Sequence, residues 1–186
     1  MAIIDLERHA VMSTAPAKIR VFADERFSCI KISGRANFTS SIDFKTLVNE
    51  LLQKDCRYFV LDLSECTLMD STFLGVLAGF GLKGVAGKDG SSNLTIELLN
   101  PNERVLELLE SLGVLHLFKL VQGQSEANDA AGSCAITTAN PSKEEVKRAC
   151  LEAHQILMDM NPQNAAKFKE VAAFLAEDLK KAKPEP

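Results

Sequence analysis

A chain of 186 residues with 46% apolar and 25% charged side chains can form one domain of ordinary size, or one small domain with an appendage. Its formal net charge of −4, without a basic stripe or tail, argues against direct binding of nucleic acid. The longest apolar stretch, residues 73–82, is too short to span a bilayer, so we expect no membrane span.

The cysteines and the N-terminal residues favour a cytoplasmic location. The five cysteines are odd in number, scattered, and contain no C-x-x-C pair. We therefore expect reduced thiols that pack as small hydrophobic side chains. Residues 1–10 lack a basic region ahead of an apolar run, so they do not read as a secretory signal.

Apolar periodicity predicts alternating strands and helices between residues 19 and 121. Continuous or alternating apolar runs predict strands at 19–22, 27–33, 57–63, 94–99 and within 114–121. A 3.6-residue period predicts helices at about 41–53, 72–84 and 101–112. Helices between successive strands imply crossover connections, and therefore an α/β fold with a small mixed sheet and packed helices.

Polar residues and glycines mark the ends of these helices. Ser40 or Ser41 is a candidate N-cap for the first helix. Asn100 followed by Pro101 predicts the start of the third helix, and Gly113 predicts its end.

Two glycines within the second predicted helix require a different explanation. Gly75 and Gly79 lie four residues apart and so face the same side of that helix. Glycine costs about 1 kcal/mol relative to alanine in a helix interior. We expect the compensation to be a close approach of this helix to the sheet.

The C-terminal third changes character. Residues 122–141 have little hydrophobic content and predict a linker. Apolar stripes at helical spacing predict helices at 142–160 and 162–181, and their short connection predicts an antiparallel hairpin. This hairpin could dock on its own domain or on the same hairpin of a second copy. We slightly favour the second copy, giving a homodimer; a third alternative is a hairpin that is only tethered.

The segment at residues 60–80 carries the most specific information. A buried strand there leaves the sheet, turns, and enters a helix at Asp70, Ser71 and Thr72. Any of the three can cap the helix. The helix N-terminus offers free N–H groups and the positive end of the dipole, which would accommodate a phosphate on a hydroxyl.

This segment, VLDLSECTLMDSTFLGVLAG, resembles the signature of the STAS family, which includes anti-sigma factor antagonists and the cytoplasmic tails of sulfate transporters. A second block, LLNPNERVLELLESLGVLHLFKL, resembles the following strand, helix and closing element of the family. The resemblance implies a STAS domain at residues 1–121 with a core at 19–121. The linker at 122–141 and the hairpin with its tail at 142–186 would follow it.

The resemblance to anti-sigma factor antagonists also implies a function. Ser71 would be phosphorylated by an anti-sigma factor that is a serine kinase of the GHKL type. The unphosphorylated protein would bind this kinase, and a phosphatase would restore binding. The implied partner-binding residues are Asp70, Ser71, Thr72, Phe73 and Asn37. Phe73 stands where many members have glycine, and Asn37 replaces an acid of the family.

The alternative function is a STAS scaffold or regulatory subunit of a membrane transport or signalling complex that is never phosphorylated. We do not expect an enzyme, because the sequence shows no set of a base, a nucleophile and an oxyanion-stabilising group. Asp62 and Asp70 are better explained as strand-end and cap residues than as paired catalytic carboxylates. His9, His116 and His154 lie far apart without metal-ligand spacing, so neither a metal nor a cofactor is expected.

Overall fold

The computed structural model describes residues 17–23, 27–85, 94–124, 134–135 and 141–181. The predictions for residues 1–16, for residues 125–133 and 136–140 of the linker, and for the tail at 182–186 lie outside the described residues.

The described strands pair into one mixed sheet. They are β1 (Lys18–Ala23), β2 (Ser28–Ala36), β3 (Tyr58–Asp62), β4 (Cys66–Met69), β5 (Thr95–Leu99), β6 (Lys119–Val121) and β7 (Cys134–Ala135). The order is β6-β5-β3-β2-β1-β7, and β4 pairs with the end of β2. β1 is antiparallel to β2 and β7, whereas the other pairs are parallel. This confirms the predicted mixed sheet, with β3 at an interior position.

Two of these strands have no counterpart in the sequence prediction. β4 has four residues, too few for a period to be recognised, and it lies in the segment expected to be a turn. β7 has two residues within the predicted linker and pairs with β1. Both strands are defined by backbone pairing with distant residues rather than by their own pattern.

The described residues form five α-helices, as the periodicity predicts. They are α1 (Phe38–Gln53), α2 (Ser71–Val85), α3 (Glu103–Ser111), α4 (Lys143–Met160) and α5 (Pro162–Lys181). A single turn of 3-10 helix, Leu115–Leu117, precedes β6, which is the short last strand predicted within 114–121.

The N-caps of α1 and α3 differ from the prediction. Asn37, not Ser40 or Ser41, caps α1, which therefore begins three residues earlier than expected. Asn102 caps α3 through a bond from the Val105 N–H group. Asn100 cannot do so because its φ of 51° is left-handed, whereas an N-cap is extended.

The core continues from the sheet into the helices. Ile30, Leu61 and Leu98 stand side by side on β2, β3 and β5, and each is at most 1% exposed. Ala153 and Leu157 of α4 belong to the same hydrophobic core. Burying such side chains is the main favourable contribution to folding, so α4 shares in the stability of the sheet domain.

The C-terminal helices form the predicted antiparallel hairpin, joined by Asn161 alone. Lys147 near the start of α4 pairs with Asp178 near the end of α5. The hairpin docks on α2 and α1 of its own chain, mainly through α4. This is the first of the expected arrangements, and it is inconsistent with a hairpin that is only tethered. Self-association through the hairpin stays a prediction.

Candidate functional site

The first turns of α1 and α2 emerge side by side at one end of the sheet. β2 and β4 run parallel, with Ala36 opposite Met69, and each leads directly into one of the helices. The N–H group of Asp70 donates to the carbonyl of Ala36 at 2.9 Å, which continues the strand pairing up to the helix start. Two helix N-termini, each with unsatisfied N–H groups, therefore meet at Asp70.

Asp70 holds these two helix starts together. One carboxylate oxygen accepts from the Phe73 N–H group at 2.8 Å, and the other accepts from the Phe38 N–H group at 2.7 Å. Burial raises the pKa of the Asp70 carboxyl, while these two backbone donors act in the opposite direction. The geometry confirms the expected cap role, and it extends that role to a second helix.

Asn37 uses its side chain in the same local structure. Its side-chain oxygen accepts from the Ser40 N–H group at 3.1 Å, and its own N–H group donates to the Ser40 hydroxyl at 2.9 Å. This reciprocal capping box satisfies two backbone donors at the start of α1. Its predicted contact with a partner stays a prediction.

Ser71 is the first residue of α2 and is half-buried, because α4 lies over it. Its hydroxyl is 3.0 Å from Nε2 of His154 on α4. Ser71 is therefore only partly exposed at the helix start when the hairpin is docked, and its predicted phosphorylation stays a prediction. The sequence does not indicate where on the domain α4 docks, so it does not predict this contact.

His154 is buried, and it also contacts the candidate switch residue Ser71. Its ring stacks on Phe168 of α5 at a centroid distance of 4.7 Å, and its Nδ1 has no hydrogen-bond partner among the described residues. Burial lowers the pKa of His154, and the nearby Asp70 acts in the opposite direction. The only available signal was a polar residue on the apolar stripe of a predicted helix.

Two of the predicted partner-binding residues point into the protein. Phe73 is 0% exposed, and its ring centroid lies 5.0 Å from that of Phe44. Thr72 is buried, and its hydroxyl donates to Sγ of Cys150 at 3.5 Å. This burial corrects the expectation that Phe73 and Thr72 contact a partner through their side chains. Phe73 fills the core in place of the glycine that is common in the family.

Phe38 is a surface residue that the sequence analysis did not single out. Its side chain is 43% exposed, and its backbone N–H group is bound to Asp70. An exposed aromatic side chain beside a half-buried serine is a candidate contact for a protein partner. The signal for it would have been its position as the first residue of α1, which requires the correct N-cap.

The two helix glycines face α4 rather than the sheet, which corrects the sequence-based expectation. A Cβ atom on Gly75 would lie 2.5 Å from the carbonyl oxygen of Ala153, and one on Gly79 would lie 3.0 Å from Cδ1 of Ile156. α2 approaches the sheet closely one turn later, at Gly84, where a Cβ atom would be 2.3 Å from the carbonyl oxygen of Leu94. Gly75 and Gly79 therefore serve the docking of the C-terminal hairpin.

The described parts of the chain contain few other groups that could bind a ligand or react. There, no helix is long and apolar enough to cross a membrane, and no three His, Cys, Asp or Glu side chains lie together as metal ligands. The thiols of Cys56, Cys66 and Cys150 are free, as expected for reduced cysteines. Burial raises the pKa of Cys66 to about 11, so this thiol stays protonated.

Comparison with known proteins identifies the family. A model of the STAS domain matches residues 18–127, more than half of the chain, and the chain therefore belongs to the STAS domain family. A search of the curated proteins finds no match.

Three solved structures are each similar to a little more than half of this chain. The anti-sigma factor antagonist SpoIIAA in its unphosphorylated form is 14% identical with a TM-score of 0.47, covering 58% of this chain and 90% of SpoIIAA. The phosphorylated form of the Bacillus cell fate determinant SpoIIAA is 16% identical with a TM-score of 0.45, covering 58% and 93%. A putative anti-sigma factor antagonist from Thermotoga maritima is 25% identical with a TM-score of 0.41, covering 59% and 86%.

Proposed function

We propose that this chain is a phosphorylation-controlled protein-binding module of the anti-sigma factor antagonist type. When Ser71 is unphosphorylated, the module binds an anti-sigma factor that is a GHKL-type serine kinase; a phosphatase reverses the modification. The module acts in the bacterial cytoplasm, regulates transcription and catalyses no reaction itself. The observation that carries the proposal is the Ser71 hydroxyl at the N-terminus of α2, directly after the Asp70 cap.

Helix electrostatics support a phosphate at this position. A phosphate adds about −1.5 to −2 charges, which the N-terminal N–H groups and dipole of α2 stabilise. The same charges oppose contact with a desolvated partner surface, and the carboxylate of the neighbouring Asp70 adds further negative charge at that surface. Phosphorylation at Ser71 is thus compatible with the fold and unfavourable for the interface.

The surface around Ser71 that a partner would contact consists of half-buried or exposed residues from both helix starts: Asn37, Phe38, Asp70 and Ser71. Phe38 supplies the apolar contact that the buried Phe73 does not supply. We therefore propose Phe38 in place of Phe73 as the aromatic residue of the interface.

The second candidate function is a STAS scaffold or regulatory subunit of a membrane transport or signalling complex. One observation favours it: the Ser71 hydroxyl is engaged by His154 and covered by α4, which opposes access of a kinase. In this case partner binding would not depend on a charge at Ser71.

Isolation of tagged protein from its native cells separates the two functions. Wild type and Ser71→Ala should co-purify with the kinase, whereas Ser71→Asp should recover much less of it. Thermal melting serves as the control, because an acid in the first turn of a helix contributes only about 0.3–1 kcal/mol and should leave the fold intact. Equal recovery of a transport or signalling complex by all three proteins would instead identify the scaffold.

A further inference from the structure

We infer that the face of α2 that carries Gly75 and Gly79 is a helix-binding surface. Within the same chain α4 occupies this surface, in competition with a helix of the partner protein. The inference deepens the proposed function and rests on it in one respect, namely that Ser71 at the end of this face is the regulated residue. Three features of the docked hairpin carry it.

The first feature is the close approach of the two helices. Ala153 fits directly over Gly75, where even a Cβ atom would be 2.5 Å from the Ala153 carbonyl oxygen. Ile156 lies over Gly79 one turn further along. A row of glycines four residues apart forms a groove that accepts the backbone of a second helix with a small residue at the crossing point.

The second feature is a set of polar contacts that fix the orientation of the docked helix. Lys45 of α1 pairs with Glu152 of α4 at 2.6 Å. Near the start of α5, the side-chain amide of Asn164 donates to the carbonyl of Leu112 at 2.9 Å. The Lys45–Glu152 pair is partly exposed to solvent, so it orients α4 more than it adds to the free energy of docking.

The third feature is that α4 fills the surface incompletely. Nδ1 of His154 and Oδ1 of Asn164 are buried among the described residues without a hydrogen-bond partner, which opposes docking. A pocket of about 80 Å³ that is partly open to solvent lies between Phe80 and Lys83 of α2 and Ile156 of α4. An occupant that leaves unsatisfied groups and unfilled space can be displaced by one that fits better.

These features define the partner segment that the surface accepts. It is an amphipathic helix with a small residue over Gly75, an aliphatic residue over Gly79 and an acidic residue facing Lys45. Because both helices would occupy the same face, binding of the partner requires release of α4. Release of α4 also exposes the Ser71 hydroxyl, since His154 is carried on α4.

A peptide with the sequence of residues 142–161 is the probe for this surface. The test variant of the full chain is Ala153→Leu, which places a larger side chain against Gly75 and blocks docking of its own α4. The control is Gln155→Leu, the same new side chain at an exposed position of α4. Fluorescence anisotropy of the labelled peptide measures its affinity for wild type and both variants.

Ala153→Leu should bind the peptide at least about tenfold more tightly than wild type, since the surface is then no longer occupied within the chain. Gln155→Leu should bind it as wild type does. Adding Gly75→Ala to Ala153→Leu should weaken binding about tenfold or more, because the new Cβ atom fills the groove on α2 while favouring the helix. If Ala153→Leu is folded and binds the peptide within about twofold of Gln155→Leu, the inference is wrong.

A second variant covers the case in which Ala153→Leu does not fold, as judged by circular dichroism. Glu152→Lys turns the exposed attraction to Lys45 into repulsion without entering the core, and it should raise affinity for the peptide about threefold or more. No change would overturn the inference. The assay contains neither kinase nor phosphatase, so its failure would leave the phosphorylation of Ser71 open, and an unphosphorylated Ser71 would leave the helix-binding surface intact.

Discussion

Replacing Gly75 and Gly79 separately by alanine tests whether the α2–α4 contact is as close as described. Both residues lie inside α2, four positions apart and facing the same helix. Their surroundings differ. A Cβ atom on Gly75 meets the backbone and Cβ of Ala153 at 2.5 to 2.8 Å, whereas one on Gly79 meets only the flexible end of Ile156 at 3.0 Å.

The expected changes in the free energy of unfolding have opposite signs. Alanine is favoured over glycine by about 1 kcal/mol in a helix interior, so Gly79→Ala should be neutral or stabilising by up to that amount. At Gly75 the contact with Ala153 must open from 2.5 Å to at least 3.0 Å. Overpacking of this kind costs about 1–3 kcal/mol, which offsets or exceeds the helix gain, so Gly75→Ala should destabilise by up to about 2 kcal/mol.

Urea unfolding of the full chain measures both values, and hydrogen exchange of the α4 amides locates the effect. Gly75→Ala should accelerate exchange in α4 while leaving β3 and β5 protected. If Gly75→Ala is as stable as Gly79→Ala, or if its α4 amides remain as protected as those of wild type, the proposed close contact is wrong.

Three further predictions concern the core, the hairpin turn and pH. Phe73→Ala should destabilise by about 3–5 kcal/mol in urea unfolding, since the ring is fully buried beside Phe44; a loss below 1 kcal/mol would contradict this placement. Asn164→Ala should cost about 1–3 kcal/mol because the buried carbonyl of Leu112 loses its donor, and unchanged stability would argue against that bond. Burial lowers the pKa of His154 in the docked chain below its ordinary 6.5. Between these two pKa values, His154 of the undocked chain carries a proton that His154 of the docked chain lacks. Docking of α4, measured by hydrogen exchange, should therefore be fully stable above pH 6.5 and weaken as the pH falls through 6.5. His154→Gln should remove this pH dependence. If the pH dependence persists in His154→Gln, another group is responsible for it.

The sheet and most helices could be predicted because their patterns are local. Residues 57–63 are a continuous apolar run, and they form a strand between two parallel neighbours. The apolar face of α1 has a period that only a helix satisfies. β4 could not be predicted because four residues do not establish a period, and its pairing with β2 depends on residues 32 or 33 positions away.

The start of α1 illustrates how the choice of a cap affects the site. Several polar residues precede the apolar face, and the sequence does not decide which of them is extended. The choice of Ser40 or Ser41 placed Phe38 outside the helix and hid its position beside Asp70. With Asn37 as the cap, the two helix starts meet and Asp70 binds both.

The docking of the hairpin could not be predicted because it is a match between two surfaces distant in sequence. The spacing of Gly75 and Gly79 indicated a close approach but not the approaching element. The apolar stripe of α4 indicated burial but not against what. Only their combination places Ala153 over Gly75 and His154 over Ser71.

The phosphorylation state of the protein in its native cells tests the central claim most directly. Trypsin releases the candidate site within the peptide 58–83, which also contains Ser64, Thr67 and Thr72, so fragment ions must localise the phosphate. We predict a single phosphate on Ser71 in wild type and none on this peptide in Ser71→Ala. An unmodified Ser71 in all growth conditions, or a phosphate on another residue of the peptide, would contradict the proposed switch.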